Sequence, residues 1–241
     1  MADSEKGNTI ATHSGGVDHR AYPADNGSAA YRNSPTSPVR TNIGNPGTLG
    51  LFSFASTTLI LSLYNTSARG VNTPNVVVGM ALFCGGLVQL LAGMWEFPKG
   101  NTFGATAFSS YGAFWLSYAT ILIPGSGIAD AFADVPSEEP NAIGIFLMTW
   151  MTVTFLLFIA SLRKNIGFIA LFFFLTLTFM CLGAGNFVVA SSPHASAGLI
   201  KAGGALGIIT ALIAYYVGLS ELLASERAAV VGLPIGVFKH D

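Results

Sequence analysis

Six apolar runs, most of them about 20 residues long, follow one another from residue 49 onwards. An α-helix needs about 20 residues to cross the roughly 30 Å of hydrocarbon in a membrane. We place the runs at residues 49–64, 75–95, 102–123, 141–162, 166–190 and 195–220. They do not show the two-residue alternation of a membrane β-barrel. The runs therefore predict an all-α integral membrane protein, a bundle of six transmembrane helices.

Charged residues are too few to cover a water-exposed surface. They make up 10% of the 241 residues, against 51% hydrophobic residues, whereas a soluble domain carries about 25% charged residues. The net charge of −1 leaves no basic patch of the kind that binds nucleic acid. Cys84 and Cys181 lie apart inside apolar runs and are interpreted as small hydrophobic residues. We expect no metal site, no cofactor and no nucleic-acid partner.

The first 44 residues differ in composition from the rest of the chain. They are rich in Ser, Gly, Asn and Pro, and such a segment cannot bury enough apolar area to offset the entropy lost on folding. We expect residues 1–44 to be a disordered cytoplasmic tail and residues 45–241 to form one transmembrane domain with a short C-terminal tail. The N-terminus has no apolar core, which indicates insertion through the transmembrane helices rather than a cleaved signal peptide.

The distribution of basic residues predicts the orientation, because loops rich in Lys and Arg stay in the cytoplasm. With a cytoplasmic N-terminus, five basic residues fall on the cytoplasmic side and two on the other. The five are Lys99, Arg163, Lys164, Arg227 and Lys239, and the two are Arg69 and Lys201. We expect both termini in the cytoplasm.

The entry into the first apolar run has a fixed geometry. Pro46 restricts its own φ and biases Asn45 away from the helical region. Asn45 is a suitable N-cap, and Gly47 and Gly50 allow close backbone approach. One interpretation is an ordinary helix start at the membrane surface. The other is an open backbone at the mouth of a pathway, with N–H groups directed at an anion.

The third run carries the most polar groups. Its Ser and Thr hydroxyls form one stripe at helical spacing, and Tyr111 lies on a different face. The stripe comprises Thr106, Ser109, Ser110, Ala113 and Ser117, and the face of Tyr111 also holds Gly104, Ala107 and Tyr118. A hydroxyl facing hydrocarbon without a partner is costly, so the stripe meets other helices or water. The amide of Gln89, in the second run, needs several partners.

Ionisable residues are nearly absent from the six runs. Lys201 is near a helix start and can reach an interface, and Glu96 and Glu221 are placed at helix ends. This pattern disfavours a membrane enzyme and a pump with a buried carboxylate relay. It favours a pathway lined by hydroxyls, amides and aromatic rings for a small solute that is neutral or weakly charged. Glu96 is the nearest candidate for proton coupling, although a carboxylate at a helix end is more often a solvated cap.

Three further segments form specific motifs. They are Asn-Pro-Gly-Thr-Leu-Gly-Leu at residues 45–51, the stretch from Gly100-Asn101-Thr102-Phe103-Gly104 to Trp115, and Leu-Pro-Ile-Gly at residues 233–236. Together they resemble the acetate uptake transporter family, which includes bacterial succinate–acetate permeases and yeast acetate transporters linked to ammonia export. The resemblance covers residues 45–238, with Thr48 where the family's opening motif usually has a second proline.

The resemblance implies a function and a set of site residues. It implies a hexamer in which each protomer has its own path for acetate and related small monocarboxylates, with succinate as a further candidate. The acid would move with a proton or pass as the neutral molecule. It also implies a hydrophobic constriction at Phe54, Tyr111 and Leu175. The entrance motif is Asn45, Pro46 and Gly50. Our candidates for hydrogen bonds to the substrate's carboxyl group are Thr57, Thr58, Gln89, Thr106, Ser110 and Asn186. The long polar tail favours a fungal plasma membrane protein.

Two alternatives keep the same fold. One is an ammonia or ammonium channel. The other is a membrane sensor of acid or ammonia, whose tail offers Ser34-Pro35 and Ser37-Pro38 for phosphorylation.

Overall fold

The computed structural model describes residues 43–238. The predicted tail up to residue 42, and Lys239 at the other end, lie outside this range. Six long helices fill the described part of the chain: α1 Pro46–Asn65, α2 Val77–Glu96, α3 Thr102–Leu122, α4 Glu138–Ser161, α5 Ile166–Phe187 and α6 Pro193–Ser225. Short 3₁₀ turns lie at Ala68–Gly70, Pro124–Ser126 and Asp130–Phe132. The prediction of an all-α membrane bundle is confirmed.

Five of the six helices are long and apolar enough to cross a membrane; α3 is not in that set. It has 21 residues, but its Ser, Thr and Gly residues lower its hydropathy. The predicted bounds were wrong by three residues or more at four ends. Helix α1 starts at Pro46 rather than residue 49, and α4 starts at Glu138 rather than residue 141. Helix α5 ends at Phe187 rather than residue 190, and α6 continues to Ser225 rather than residue 220.

The helices pack in a closed sequence of neighbours. Helix α6 packs between α1 and α5, α4 packs on α5, and α2 packs on α1 and α3. Small residues allow these close approaches. A Cβ at Gly207 of α6 would lie 2.2 Å from Ser62 Oγ of α1, and one at Gly93 of α2 would lie 2.4 Å from Ser109 Oγ of α3. Helix α3 touches α1 and α4 only lightly, which leaves room in the centre.

The starts of α1, α3 and α5 are capped by the same residue type. The side chains of Asn45, Asn101 and Asn165 accept hydrogen bonds from the N–H groups of Gly47, Gly104 and Phe168 at 3.1, 3.2 and 2.8 Å. Each amide satisfies a backbone donor that the first helical turn leaves free. The three caps fix where the odd-numbered helices begin.

Helix α2 changes its winding halfway along. Residues Met80–Val88 form a π-helical stretch between the α-helical segments Val77–Gly79 and Gln89–Glu96. A wider turn rotates the following side chains relative to an ideal α-helix. Gln89 directly follows this stretch and is fully buried.

The last described segment, residues 233–237, returns to the start of α5. The N–H groups of Ile166 and Gly167 donate to the carbonyl oxygens of Gly236 and Ile235 at 3.1 and 3.2 Å. Ser220 Oγ of α6 donates to Leu233 O at 2.6 Å. The Leu-Pro-Ile-Gly motif thus connects the end of α6 to the first turn of α5.

Candidate functional site

Two cavities lie in series within the bundle. Cavity A has a volume of about 390 Å³ and cavity B of about 170 Å³. Along α1, α3 and α5, the residues nearer the helix start line cavity A and those further along line cavity B. Phe54 and Tyr111 line both cavities. The three helices therefore run in the same direction past both cavities.

Phe54 and Tyr111 form the boundary between the cavities. Their ring centroids are 5.4 Å apart, and both side chains are buried. The Tyr111 hydroxyl donates to Thr154 Oγ1 of α4 at 2.9 Å, which orients the ring. Leu175, the third residue of the predicted constriction, lines cavity B and is buried. We call Phe54 and Tyr111 the ring pair.

Cavity A contains the charged groups of the site. Its lining includes Arg163 and Lys164, which precede α5, and Glu221 of α6. The capping residues Asn101 and Asn165 also line it, so the positive ends of α3 and α5 are directed to this side. Lys164 Nζ lies 4.6 Å from the centroid of the Phe103 ring. This is an environment in which an anion is favoured.

Glu96 is not the solvated cap that the sequence favoured. Its side chain is 0% exposed. Asn101 Nδ2 donates to Glu96 Oε2 at 2.8 Å, and Lys99 Nζ lies 3.6 Å from Glu96 Oε1. Two glycines make room for the carboxyl group, since a Cβ at Gly104 would lie 3.3 Å from Glu96 Cδ and one at Gly47 would lie 2.9 Å from Oε1.

Glu221 lies inside α6 rather than beyond its end, because α6 extends to Ser225. The same Gly47 Cβ would also lie 2.9 Å from Glu221 Oε2, so the carboxyl groups of Glu96 and Glu221 both lie beside Gly47. Asn45 Nδ2 donates to Glu221 Oε2 at 3.3 Å, and Lys99 Nζ donates to Asn45 Oδ1. Two carboxyl groups, one ammonium group and two side-chain amides, those of Asn45 and Asn101, thus form a network beside cavity A.

Gln89 is the predicted binding residue with the most unsatisfied polar groups. It lines cavity A and is 0% exposed. Neither Oε1 nor Nε2 has a hydrogen-bond partner among residues 43–238. Because an unsatisfied buried amide is costly, this side chain is available to a solute in the cavity.

Cavity B differs from cavity A in charge. Within the described part of the chain, its lining contains no Asp, Glu, Lys, Arg or His. Thr58 and Asn186, both predicted as binding residues, line it. Asn186 Nδ2 donates to Leu182 O at 2.9 Å, whereas Thr58 Oγ1 has no partner among the described residues.

Several predicted residues lie away from the cavities. Thr106 is exposed on the outer face of α3. Ser110 is half-buried and lines neither cavity. Thr57 is fully buried, donates to Ser53 O at 3.0 Å and packs on Gly85. We therefore leave these three out of the site. Within the entrance motif, Gly50 packs against the Phe108 ring.

Other site residues were not predicted. They are Thr154, which holds Tyr111, Trp115 in cavity B, and Lys99, Lys164, Asn165 and Glu221 around cavity A. The sequence signal for Asn165 is an Asn between two basic residues and an apolar run, the pattern of a helix N-cap. Nothing local in the sequence distinguishes Thr154 from the other Thr residues of α4.

The sequence is similar to those of proteins named as transporters. The chain is 44% identical over 197 residues to ammonia transport outward protein 2 of Saccharomyces cerevisiae, covering 82% of this chain and 68% of that protein. It is 36% identical over 199 residues to the succinate-acetate/proton symporter SatP of Escherichia coli K12, covering 81% and 97%. The chain thus spans about two thirds of the yeast relative.

The fold matches a solved structure as well. The structure of the bacterial acetate channel SatP superposes with a TM-score of 0.68 at 34% identity, covering 80% of this chain and 99% of that chain. The model of the GPR1/FUN34/yaaH family matches residues 29–236, and so begins within the predicted tail. The chain belongs to the GPR1/FUN34/yaaH family, as the resemblance in its sequence motifs indicated.

Proposed function

We propose that this protein is a membrane permease for acetate and related small monocarboxylates, with succinate as a further substrate. The solute passes from cavity A to cavity B between Phe54, Tyr111 and Leu175. The observation that carries this proposal is the pair of cavities in series, separated by two aromatic rings. Relatives described as a succinate-acetate/proton symporter and an acetate channel support the choice of substrate.

The chemistry of the path agrees with this substrate class. Cations and helix starts around cavity A attract a carboxylate. The Gln89 amide offers the acid both a hydrogen-bond donor and an acceptor. Thr58 and Asn186 offer it such groups beyond the ring pair. A constriction of two rings and a leucine has no fixed charge, so it excludes bulky hydrated ions. The proposed role is transport and involves no catalysis.

Proton coupling is assigned to Glu96 together with Glu221. Both carboxyl groups lie beside Gly47 and that of Glu96 is fully buried, so they repel each other when both are ionised. One added proton removes this repulsion and leaves a net charge that Lys99 compensates. Asn101 and Glu221 of this network line cavity A, so a proton bound there is next to the path of the acid.

The assembly and location belong to the same proposal. The protein forms a hexamer with one path in each protomer, in a fungal plasma membrane with both termini cytoplasmic. Residues 45–241 form the transport domain and residues 1–44 a separate tail. Exposed apolar side chains along α2, among them Phe83, Leu87 and Leu91, supply a surface for neighbouring protomers or lipid.

The experiment is uptake of labelled acetate into proteoliposomes at fixed total acetate, with external pH varied and an uncoupler added or omitted. Liposomes without protein give the background from free diffusion of acetic acid. Uptake above this background that follows the proton gradient supports proton-coupled transport. Uptake that follows the membrane potential alone supports an anion channel and removes the role of Glu96. If methylammonium competes and propionate does not, the ammonium alternative replaces acetate; no uptake above background refutes the proposal.

A further inference from the structure

Residues 233–237, which contain the Leu-Pro-Ile-Gly motif, line neither cavity A nor cavity B. They cross instead from the end of α6 to the start of α5, and we call them the strap. At the α6 end, the buried hydroxyl of Ser220 donates to Leu233 O at 2.6 Å. At the α5 end, Asn165 and Val237 form an antiparallel bridge. The strap is thus attached to both helices.

The strap also bonds to the first N–H groups of α5. The N–H groups of Ile166 and Gly167 donate to two strap carbonyl oxygens at 3.1 and 3.2 Å. The first four N–H groups of an α-helix have no acceptor within that helix, so the strap supplies two of the acceptors that α5 lacks. The strap therefore restrains the first turn of α5 through its backbone.

The strap passes the first residue of α5 at such a short distance that only glycine fits. A Cβ at Gly236 would lie 2.8 Å from Ile166 Cδ1. Gly236 also has a φ of 68°, a backbone conformation that other residues rarely adopt. Ile235 adds a side-chain contact, since its Cβ lies 3.8 Å from the position that a Cβ at Gly167 would take. A side chain at position 236 would push the strap away from α5.

The turn before α5 carries the cations of cavity A. Arg163 and Lys164 line this cavity, and Lys164 is two positions before Ile166. Residues 162–165 alone join α4 to α5, so a shift of the first turn of α5 moves Lys164 with it. Lys164 Nζ lies 4.6 Å from the centroid of the Phe103 ring, and this contact depends on where the turn is held.

We infer that the strap positions the ammonium group of Lys164 at the mouth of cavity A by holding the first turn of α5. Ser220 and Gly236 are then positioning residues, which act on the solute through Lys164 without touching it. This inference rests on the proposed function and adds to it a part of the chain outside the path. A loosened strap weakens the capture of a carboxylate by the cation and leaves the ring pair unchanged, so KM rises while kcat stays.

The first test is hydrogen exchange of the purified full chain, measured by mass spectrometry in the peptide that spans residues 163–168. Ser220→Ala removes the attachment of the strap to α6. We expect exchange in this peptide to become about fivefold faster, the change that the loss of about one hydrogen bond gives. The matched control is Ser225→Ala, because the Ser225 hydroxyl is exposed and donates to Leu222 O of its own helix.

A second variant acts at the other end of the strap. Gly236→Ala places a Cβ against Ile166 in an unfavourable backbone conformation, so exchange should accelerate more than in Ser220→Ala. Gly232→Ala is its control, because a Cβ at Gly232 would meet no atom within 4 Å. Exchange at the wild-type rate in both Ser220→Ala and Gly236→Ala refutes the inference.

Acetate uptake by the same variants tests the positioning of Lys164. Ser220→Ala should raise KM by about threefold at low ionic strength with kcat unchanged, and the rise should shrink at high salt because it comes from a charge. Ser220→Thr keeps the hydroxyl and restores the wild-type KM. In a Lys164→Gln background, Ser220→Ala should change KM little, because both substitutions act through the same ammonium group. A lower kcat at unchanged KM, or a rise in KM that multiplies with that of Lys164→Gln, overturns the positioning role.

Uptake by the wild type separates this inference from the proposed function. If the wild type takes up acetate and Ser220→Ala keeps its KM at low salt, the positioning role is wrong and the permease stands. If the wild type takes up no acetate yet the exchange rates change as expected, the permease is wrong and the strap still holds the start of α5.

Discussion

Cavities A and B are neighbours, but their described linings differ in charge. Cavity A is bordered by Arg163, Lys164 and Glu221 and by two capped helix starts. Cavity B has no charged residue in its described lining and offers the neutral donors of Thr58 and Trp115. Charged side chains are therefore available to a carboxylate on one side of the ring pair, and neutral hydrogen-bond donors on the other. We propose that attraction and selection of the solute are separated along the path in this way.

Removing the boundary between the cavities has the largest expected effect. Phe54→Ala joins cavities A and B, so lactate and succinate should gain on acetate by roughly tenfold in relative uptake, the range by which pocket size discriminates substrates. Competition of unlabelled acids against labelled acetate measures the ratio. Phe155→Ala, on the outer face of α4 at 47% exposure, is the control. An unchanged ratio at normal expression contradicts a filtering role for Phe54.

Neutralising one carboxyl group beside cavity A tests the proposed role of the charged network in proton coupling. Glu221→Gln removes one of the two carboxyl groups beside Gly47 and keeps that of Glu96. We expect the ratio of uptake at pH 5 to uptake at pH 7 to fall by about fivefold, because fewer protons bind along the route. Glu226→Gln, just beyond the end of α6 and exposed, should keep the wild-type ratio. An identical pH profile in both variants removes Glu221 from the coupling.

Removing a cation from the mouth of cavity A has a moderate effect. Lys164→Gln should raise the KM for acetate by about threefold at low ionic strength, since long-range steering by a single charge is weak and screened by salt. Uptake at low and at high salt measures the KM, and the difference from wild type should shrink at high salt. Lys201→Gln is the control, because Lys201 is exposed and lines neither cavity. A change in KM that does not depend on salt indicates that Lys164 acts through its packing on the Phe103 ring.

The smallest effect is expected from the hydroxyl of the ring pair. Tyr111→Phe keeps the ring and removes only the hydrogen bond to Thr154, so uptake should change by about twofold. Tyr216→Phe also removes one hydrogen bond, to Pro234 O, but on the outer surface. If Tyr111→Phe abolishes uptake while Tyr216→Phe does not, the Tyr111 hydroxyl contacts the solute, and the ring pair does not act by steric exclusion alone.

Most of the fold could be predicted because its signals are local. Hydrophobic runs give the helices, and Asn45 and Asn101 precede runs that they cap. The face of α3 that carries Tyr111, Gly104 and Ala107 follows from helical spacing. Helical spacing does not predict which face of α3 points into the bundle. Polarity suggested the hydroxyl stripe with Thr106, but that stripe lies largely on the outside of the protomer.

The charged network could not be predicted because it depends on distant parts of the chain. Glu96 is buried only because Gly47 of α1 and Gly104 of α3 leave space beside it. Its neighbour Glu221 is 125 positions further along the sequence. Gln89 was identified from its depth, but the π-helical stretch before it has no sequence signature that we recognised. Local patterns therefore identified the helices, and three-dimensional packing decided which polar groups meet.

The backbone pairing of residues 233–237 with the first turn of α5 has a practical consequence. Asn165, which lines cavity A, also forms a bridge with Val237. A fluorophore attached near Phe238 therefore sits close to the start of a helix that borders the path. Any displacement of α5 as solute enters would move that fluorophore as well. A label near Phe238 would therefore report such a movement of α5 during transport.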